Sequence, residues 1–122
     1  MSFTIEDMML TAENRYAMKF LAGQNGWANS ISWVHLLEDT TIIQNFWGKE
    51  LAVTTGLGFP DKEDWMQLAI QLNRHHASGL IINVGQYIHE VPEELKMYCD
   101  ENDLPLLTVP WEVHLSDMIK DF

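Results

Sequence analysis

The sequence predicts a single α/β domain with a mainly parallel β-sheet and flanking helices. Apolar, strand-like runs alternate with helix-like segments over short connections, which is typical of right-handed βαβ crossovers. Two of these runs, ELAVTTG and GLIINVG, are continuously apolar, as expected of strands that are covered on both faces. A chain of 122 residues with 47% hydrophobic content also suits one domain with a substantial core.

A helix-capping pair and a turn signal predict the first elements of secondary structure. Thr4 and Asp7 stand three residues apart before an apolar segment, which is close to a capping box and predicts a short helix. Two apolar runs follow and are separated by Gly23, Asn25 and Gly26. An Asn-Gly pair between such runs predicts a hairpin or a tight turn, because both residues tolerate positive φ.

The central elements begin with a strand from Ile31 to Leu37. A brief helix is predicted in DTTIIQNFWG, with Asp39 or Thr40 as its cap and Gly48 as its end. The run ELAVTTG then predicts the next strand.

The C-terminal half continues the alternation of helix and strand. PDKEDWMQLAIQLNRHHA is the clearest helix, GLIINVG a third strand, and PEELKMYCDEN a helix with Pro92 in its first turn. LPLLTVP predicts a fourth strand, and WEVHLSDMIKDF begins a final helix that the end of the chain could cut short. The clearest helix has an apolar stripe at helical spacing, formed by Trp65, Leu68, Ala69 and Leu72.

Composition excludes several classes of partner. The chain has 18 acidic and 7 basic residues, a net charge of −11, so we expect no direct binding to nucleic acid or to anionic membranes. No apolar run approaches the roughly 20 residues that cross a bilayer, and the N-terminus lacks the features of a secretory signal. Cys99 is the one cysteine, and a cytoplasmic location fits best.

A ligand is expected beyond the carboxyl ends of the strands, as in other open parallel sheets. The loop TTGLGFPDKED at this end lacks the lysine of a phosphate-binding loop and the third glycine of a dinucleotide-binding loop. Several carboxylates also stand at the predicted helix starts, where they either stabilise the helices or form a cation site. The sequence therefore favours a neutral or cationic small molecule, or no ligand, over a phosphorylated cofactor.

Catalytic chemistry is not expected. No nucleophile stands beside a base, and packing is favoured over reactivity for Cys99. His75 and His76 are adjacent, so on a helix they point about 100° apart and cannot share a metal ion. Tyr87 and Trp111 follow strand ends, where they could stack on a flat heterocycle or pack in the core or an interface.

Four segments resemble the N-terminal domain of PucR-type purine catabolism regulators: ISWVHLLED, WGKELAVTTGLGF, ASGLIINVGQYIHEVPEEL and DENDLPLLTVPWEVHLSDMI. Thr54, Thr55 and Gly56 match the family's TTG, and Trp111 follows its LPL…P segment. The resemblance implies that residues 1–122 are the regulatory or sensing domain of a longer bacterial transcription regulator with a C-terminal helix-turn-helix. It also implies a fold similar to the N-terminal domain of Mur ligases.

Together these observations predict a non-enzymatic regulatory domain that binds a small metabolite or packs against other domains of the regulator, with no cofactor. Two alternatives are a pure dimerisation or interaction module, favoured by the five tryptophans, and a small Mur-like enzyme, which would require nucleotide binding. The predicted ligand contacts are Thr54, Thr55, Gly56, Asn83, Gly85, Tyr87 and Trp111.

Overall fold

The computed structural model describes residues 3–122; Met1 and Ser2, with which the expected domain begins, lie outside the described residues. In this part of the chain there are four α-helices, five strands and two short 3₁₀-helices. In chain order these are α1 (Ile5–Arg15), β1 (Lys19–Ala22), a 3₁₀-helix (Gln24–Gly26), β2 (Trp33–Leu36), a 3₁₀-helix (Thr41–Asn45), β3 (Glu50–Thr54), α2 (Lys62–Arg74), β4 (Gly79–Val84), α3 (Glu93–Glu101), β5 (Leu106–Pro110) and α4 (Leu115–Lys120).

The strands form one sheet in the order β1-β5-β4-β3-β2. β2, β3, β4 and β5 run parallel, and β1 pairs antiparallel with β5 at one edge. This arrangement confirms the predicted α/β class and the mainly parallel sheet. The four predicted strands are all present, whereas β1 was not predicted as a strand. The likeness to Mur ligases stays a prediction.

The Asn-Gly signal marks a tight turn, and the hairpin alternative is wrong. The turn is the 3₁₀-helix Gln24–Gly26, and the strands on either side of it lie at opposite edges of the sheet. Gly23 has φ 75°, and a Cβ there would lie 2.0 Å from the carbonyl oxygen of Leu104. The glycine is therefore required by close contact with the chain that leads into β5.

The predicted N-terminal cap is confirmed. The Thr4 hydroxyl accepts a hydrogen bond from the Asp7 amide at 3.1 Å, and the Asp7 carboxylate accepts one from the Thr4 amide at 3.0 Å. The brief helix predicted after β2 is a 3₁₀-helix. Its first amide, that of Thr41, donates a hydrogen bond to the Asp39 carboxylate at 2.9 Å, so Asp39 rather than Thr40 provides the capping side chain.

The sheet lies between two helical layers, each with its own hydrophobic cluster. α2 and α3 pack on one face, and α1 and α4 pack on the other. All of β3 is buried, as the apolar run Leu51, Ala52 and Val53 at its centre predicted. The predicted stripe of α2 is confirmed as core, since its members are at most 2% exposed: Trp65, Leu68, Ala69 and Leu72.

The strand order determines the shape of the two ends of the sheet. From β2 to β5, successive parallel strands are neighbours, so within residues 3–122 the parallel order contains no reversal. The crossover helices α2 and α3 consequently lie on the same face. A reversal of strand order is what opens the ligand crevice in doubly wound folds, and this sheet has none in its described parallel strands.

Candidate functional site

The predicted ligand residues lie at the carboxyl end of the sheet, which we call the rim (residues 54–58, 83–87 and 110–111). There the Thr54 hydroxyl donates a hydrogen bond to Glu38 Oε1 at 2.7 Å. The Thr55 amide donates to Glu38 Oε2 at 3.1 Å, and the Thr55 hydroxyl donates to the same oxygen. One carboxylate thus accepts three hydrogen bonds from the first two predicted contacts.

The same two hydroxyls also accept hydrogen bonds. The Gly56 amide donates to Thr54 Oγ1 at 3.1 Å, and the Leu57 amide donates to Thr55 Oγ1 at 3.3 Å. Each hydroxyl therefore both donates and accepts within the protein. Thr54 is also fully buried.

Sequence reasoning missed Glu38, although a signal for it exists. The residue follows β2 by two positions, and the carboxyl ends of parallel strands meet at one edge of a sheet. An acidic residue at the end of one strand and a Thr-Thr pair at the end of its neighbour could have been paired from the sequence alone.

The rim glycines allow close packing within the protein. A Cβ at Gly58 would lie 1.5 Å from the carbonyl oxygen of Glu38, so the loop rests directly on the end of β2. Gly56 has φ 91°, and a Cβ there would lie 3.2 Å from the Trp65 ring and 3.3 Å from Ile88. Both positions need glycine for contacts inside the domain.

Asn83 and Gly85 join β4 to the end of β5. The Asn83 side-chain amide donates to the carbonyl oxygen of Pro110 at 2.9 Å and reaches that of Val109 at 3.5 Å. Gly85 has φ 138°, and a Cβ there would lie 2.8 Å from Trp111 Cβ. These residues hold the Trp111 loop against β4.

Tyr87 and Trp111 are the most exposed large residues of the predicted set. Their rings meet edge to face with centroids 5.7 Å apart, and the residues are 47% and 38% exposed. The structure therefore brings Gly85, Tyr87 and Trp111 together, and places Thr54, Thr55 and Gly56 around Glu38. That these residues contact a ligand stays a prediction.

The acidic helix starts support the stabilising interpretation over a cation site. At α2 the Asp64 carboxylate accepts a hydrogen bond from the amide of Asp61, the N-cap residue, at 3.1 Å. Lys62 Nζ lies 3.4 Å from Glu94 Oε1 and so links the first turns of α2 and α3. The backbone amide and Lys62 lower the pKa of Glu94. At the last helix, α4, the first turn carries Asp117, and Glu112 lies before the helix begins.

A polar cavity of about 270 Å³ lies at the opposite end of the sheet, and we call it the amino-end pocket. Its walls come from the loops that precede β2, β3, β4 and β5, and from the C-terminal ends of α2 and α3. The lining residues are Asn29, Ser30, Lys49, Asn73, His76, Ala77, Ser78, Asn102, Asp103 and Leu104. Three carboxamides, two hydroxyls and three ionisable side chains thus surround one small space.

The carboxamides of this pocket are only partly engaged with one another. Asn73 Nδ2 donates to Asn102 Oδ1 and to the Tyr98 hydroxyl, both at 3.3 Å. Asn102 Nδ2 donates to the carbonyl oxygen of Tyr98 at 2.9 Å. Asn29 Nδ2 reaches the carbonyl oxygen of Ser78 at 3.3 Å. Several of these bonds are at the long end of the range for N–H···O contacts, which marks them as weak.

Ser78 differs from every other buried polar side chain of the described residues. It is 2% exposed, and its hydroxyl is the one buried side-chain oxygen or nitrogen within residues 3–122 without a hydrogen-bond partner. Such groups are rare in folded proteins, because an unpaired buried hydroxyl costs about 1–3 kcal/mol.

Unusual backbone conformations also concentrate around this pocket. Lys49, His76 and Asp103 have φ of 71°, 60° and 53°, and they make up three of the four non-glycine residues with positive φ in residues 3–122. His76 and Asp103 each follow the C-cap of a helix, a position usually occupied by glycine. Sequence reasoning considered metal binding at His76 and so missed this pocket.

The described residues give little support for a reactive thiol, a metal site or a membrane-spanning helix. Burial raises the pKa of the Cys99 thiol to about 12, in agreement with its predicted packing role. Within residues 3–122, no three His, Cys, Asp or Glu side chains come together as metal ligands. None of the described helices is long and apolar enough to cross a membrane.

A family model described as PucR, purine catabolism regulatory protein-like family, matches residues 8–122. The Purine catabolism regulatory protein of Bacillus subtilis (strain 168) is 24% identical over 100 residues, which cover 81% of this chain and 19% of that protein. The chain therefore spans about a fifth of the length of this curated relative.

Proposed function

Because the chain belongs to the purine catabolism regulatory protein-like family, we propose that it is the regulatory domain of a bacterial transcription regulator. In this proposal the domain does no chemistry. It changes the activity of a separate DNA-binding domain, a helix-turn-helix in a later part of the same longer cytoplasmic chain.

One observation carries the proposal. The family match extends over residues 8–122, and the 122-residue chain that contains them has a net charge of −11. DNA affinity comes largely from phosphate neutralisation by lysine and arginine, and an acidic domain repels phosphate. A domain of a regulator that does not itself bind DNA must act on DNA binding through another domain.

The signal is proposed to be a small metabolite of purine breakdown, since the Bacillus subtilis relative is named for purine catabolism. At the rim, Tyr87 and Trp111 offer exposed ring edges to a flat heterocycle. The hydroxyls of Thr54 and Thr55 could join them only by giving up their bonds to Glu38. The rim therefore offers an effector little more than these two aromatic rings.

Deleting residues 8–122 from the complete regulator tests this function. We expect the shortened regulator to keep its DNA affinity in a gel-shift assay while a target-gene reporter loses its response to purine supply. A reporter response equal to that of the complete protein would contradict the proposal.

A second candidate function, homodimerisation, is favoured by the edge strand β2. Trp33 and Leu36 in this strand are 66% and 54% exposed, and nearby Trp47 is 94% exposed. The opposite edge strand, β1, carries Lys19 and an irregular register, two devices that discourage edge pairing. β2 has neither, so it suits antiparallel pairing with β2 of a second copy.

Light scattering of the 122-residue chain tests dimerisation. A dimer that becomes a monomer on the change Trp33→Lys would support the pairing of β2 strands. A monomer at all concentrations would exclude it. The change Leu10→Lys on the exposed side of α1 serves as a control, since Leu10 is 75% exposed and lies outside β2.

A further inference from the structure

We propose that the amino-end pocket binds a small neutral molecule with adjacent N–H and C=O groups, such as a lactam or a cyclic urea. The proposal rests on the proposed regulatory function and deepens it, because it names the site and the chemical class of the effector. It places the effector at the end of the sheet opposite to the rim.

The side chains of the pocket determine the class of ligand. Asn29, Asn73 and Asn102 each present a carboxamide, which carries a donor and an acceptor side by side. A lactam or urea presents the complementary pair, so Asn29 or Asn73, whose own hydrogen bonds are 3.3 Å long, can form two parallel hydrogen bonds with it. The asparagine contacts at 3.3 Å are weak enough to be exchanged for ligand contacts.

The charges of the pocket disfavour an anionic ligand. The C-terminal ends of α2 and α3 both reach the pocket and carry partial negative charge. Asp103 adds a carboxylate, and Lys49 offers one opposing positive charge. A neutral molecule with both donors and acceptors matches this mixture better than a phosphate or a carboxylate does.

Ser78 supplies an independent observation that points to a ligand. Its hydroxyl has no partner among the described residues, although the residue lines the pocket and is 2% exposed. A polar ligand that reaches this hydroxyl would remove the penalty of the unpaired group. The rim shows no comparable group, since its buried Thr54 hydroxyl both donates and accepts.

The backbone around the pocket is held in costly conformations. Lys49, His76 and Asp103 all line the pocket with positive φ. At His76 and Asp103 glycine would be the less strained choice, so the sequence keeps side chains there against local preference. Residues held in such conformations cluster at ligand-binding sites. The volume of about 270 Å³ is near the lower end for ligand pockets and suits a compact molecule.

An NMR titration of the ¹⁵N-labelled chain tests the proposal with hypoxanthine and uracil, which contain lactam groups, and with purine, which lacks the carbonyl. We expect saturable shifts of amides 29–30, 76–78 and 102–104 with hypoxanthine or uracil, and much smaller shifts with purine. The change Ser78→Ala should weaken binding about tenfold without lowering stability. The control change Leu10→Ala, at an exposed residue of α1 that lies outside both ends of the sheet, should leave binding unchanged.

Two outcomes would overturn this inference without deciding the regulatory function. Shifts that cluster at residues 54–58, 83–87 and 110–111, and that disappear in the Trp111→Ala protein, would place the effector at the rim. The absence of saturable shifts with both lactam compounds at millimolar concentration would exclude the proposed ligand class. The deletion of residues 8–122 from the complete regulator decides the regulatory function separately.

Discussion

The two ends of the sheet contain similar polar residues but use them differently. At the rim, the buried Thr54 hydroxyl bonds Glu38 and the Gly56 amide. At the amino end, the buried Ser78 hydroxyl has no partner among the described residues. The rim thus resembles a structural brace, whereas the amino end retains hydrogen-bonding capacity for another molecule. Polar residues at the usual ligand-binding end of a parallel sheet do not by themselves make a binding site.

The largest expected effect on stability is at Glu38, whose three hydrogen bonds to Thr54 and Thr55 we call the brace. The change Glu38→Ala removes the acceptor of three hydrogen bonds and leaves the buried Thr54 hydroxyl without its acceptor. We expect the free energy of unfolding to fall by about 3 kcal/mol, as measured by urea denaturation. The control Glu38→Gln keeps two polar atoms in place and should cost less. A stability within about 0.5 kcal/mol of the unaltered chain would show that the brace is not structural.

The change Thr54→Val removes one hydroxyl of the brace and keeps a side chain of the same shape. It leaves the Gly56 amide without its acceptor and removes one of the three hydrogen bonds that Glu38 accepts. We expect a loss of about 1–2 kcal/mol in the free energy of unfolding. An unchanged midpoint of urea denaturation would contradict the proposed difference between the two ends.

The change His76→Gly tests the strained backbone at the other end. Glycine adopts φ near 60° without a Cβ penalty, and the exposed His76 side chain contributes little packing. We expect the free energy of unfolding to rise by about 0.5–1 kcal/mol, because the relief of strain exceeds the added entropy of the unfolded chain. Asp103→Gly is the matched variant at the end of α3. Destabilisation by both changes would show that these conformations are not strained.

The smallest expected effect is that of Ser78→Ala. Because the hydroxyl has no partner among the described residues, its removal should leave stability unchanged or raise it by up to about 1 kcal/mol. Thermal denaturation beside the Thr54→Val protein makes the comparison direct. A loss of stability equal to that of Thr54→Val would mean that both hydroxyls are engaged alike.

The sequence predicted what depends on local patterns. The capping box of Thr4, the core stripe of α2 and the continuously apolar β3 and β4 follow from spacing within a few residues, and all are present. β1 escaped prediction because it pairs with β5, a strand from the far end of the chain. The Asn-Gly signal was ambiguous for the same reason, since the partner of β1 is not the next strand.

The Glu38 hydrogen bonds at the rim and the amino-end pocket both depend on contacts between residues that lie far apart in the sequence. Glu38 meets Thr54 and Thr55 only because β2 and β3 are parallel neighbours. The amino-end pocket combines loops before four strands with the ends of two helices. The sign of this pocket in the sequence is the presence of His76 and Asp103 just after helix ends, where glycine is more common.

A crystal structure of the chain grown with hypoxanthine would test the central claim most directly. The account predicts the ligand in the amino-end pocket within hydrogen-bonding distance of Ser78 Oγ, with the Glu38 bonds to Thr54 and Thr55 intact. Hypoxanthine stacked between Tyr87 and Trp111, with Glu38 displaced from the threonines, would contradict it.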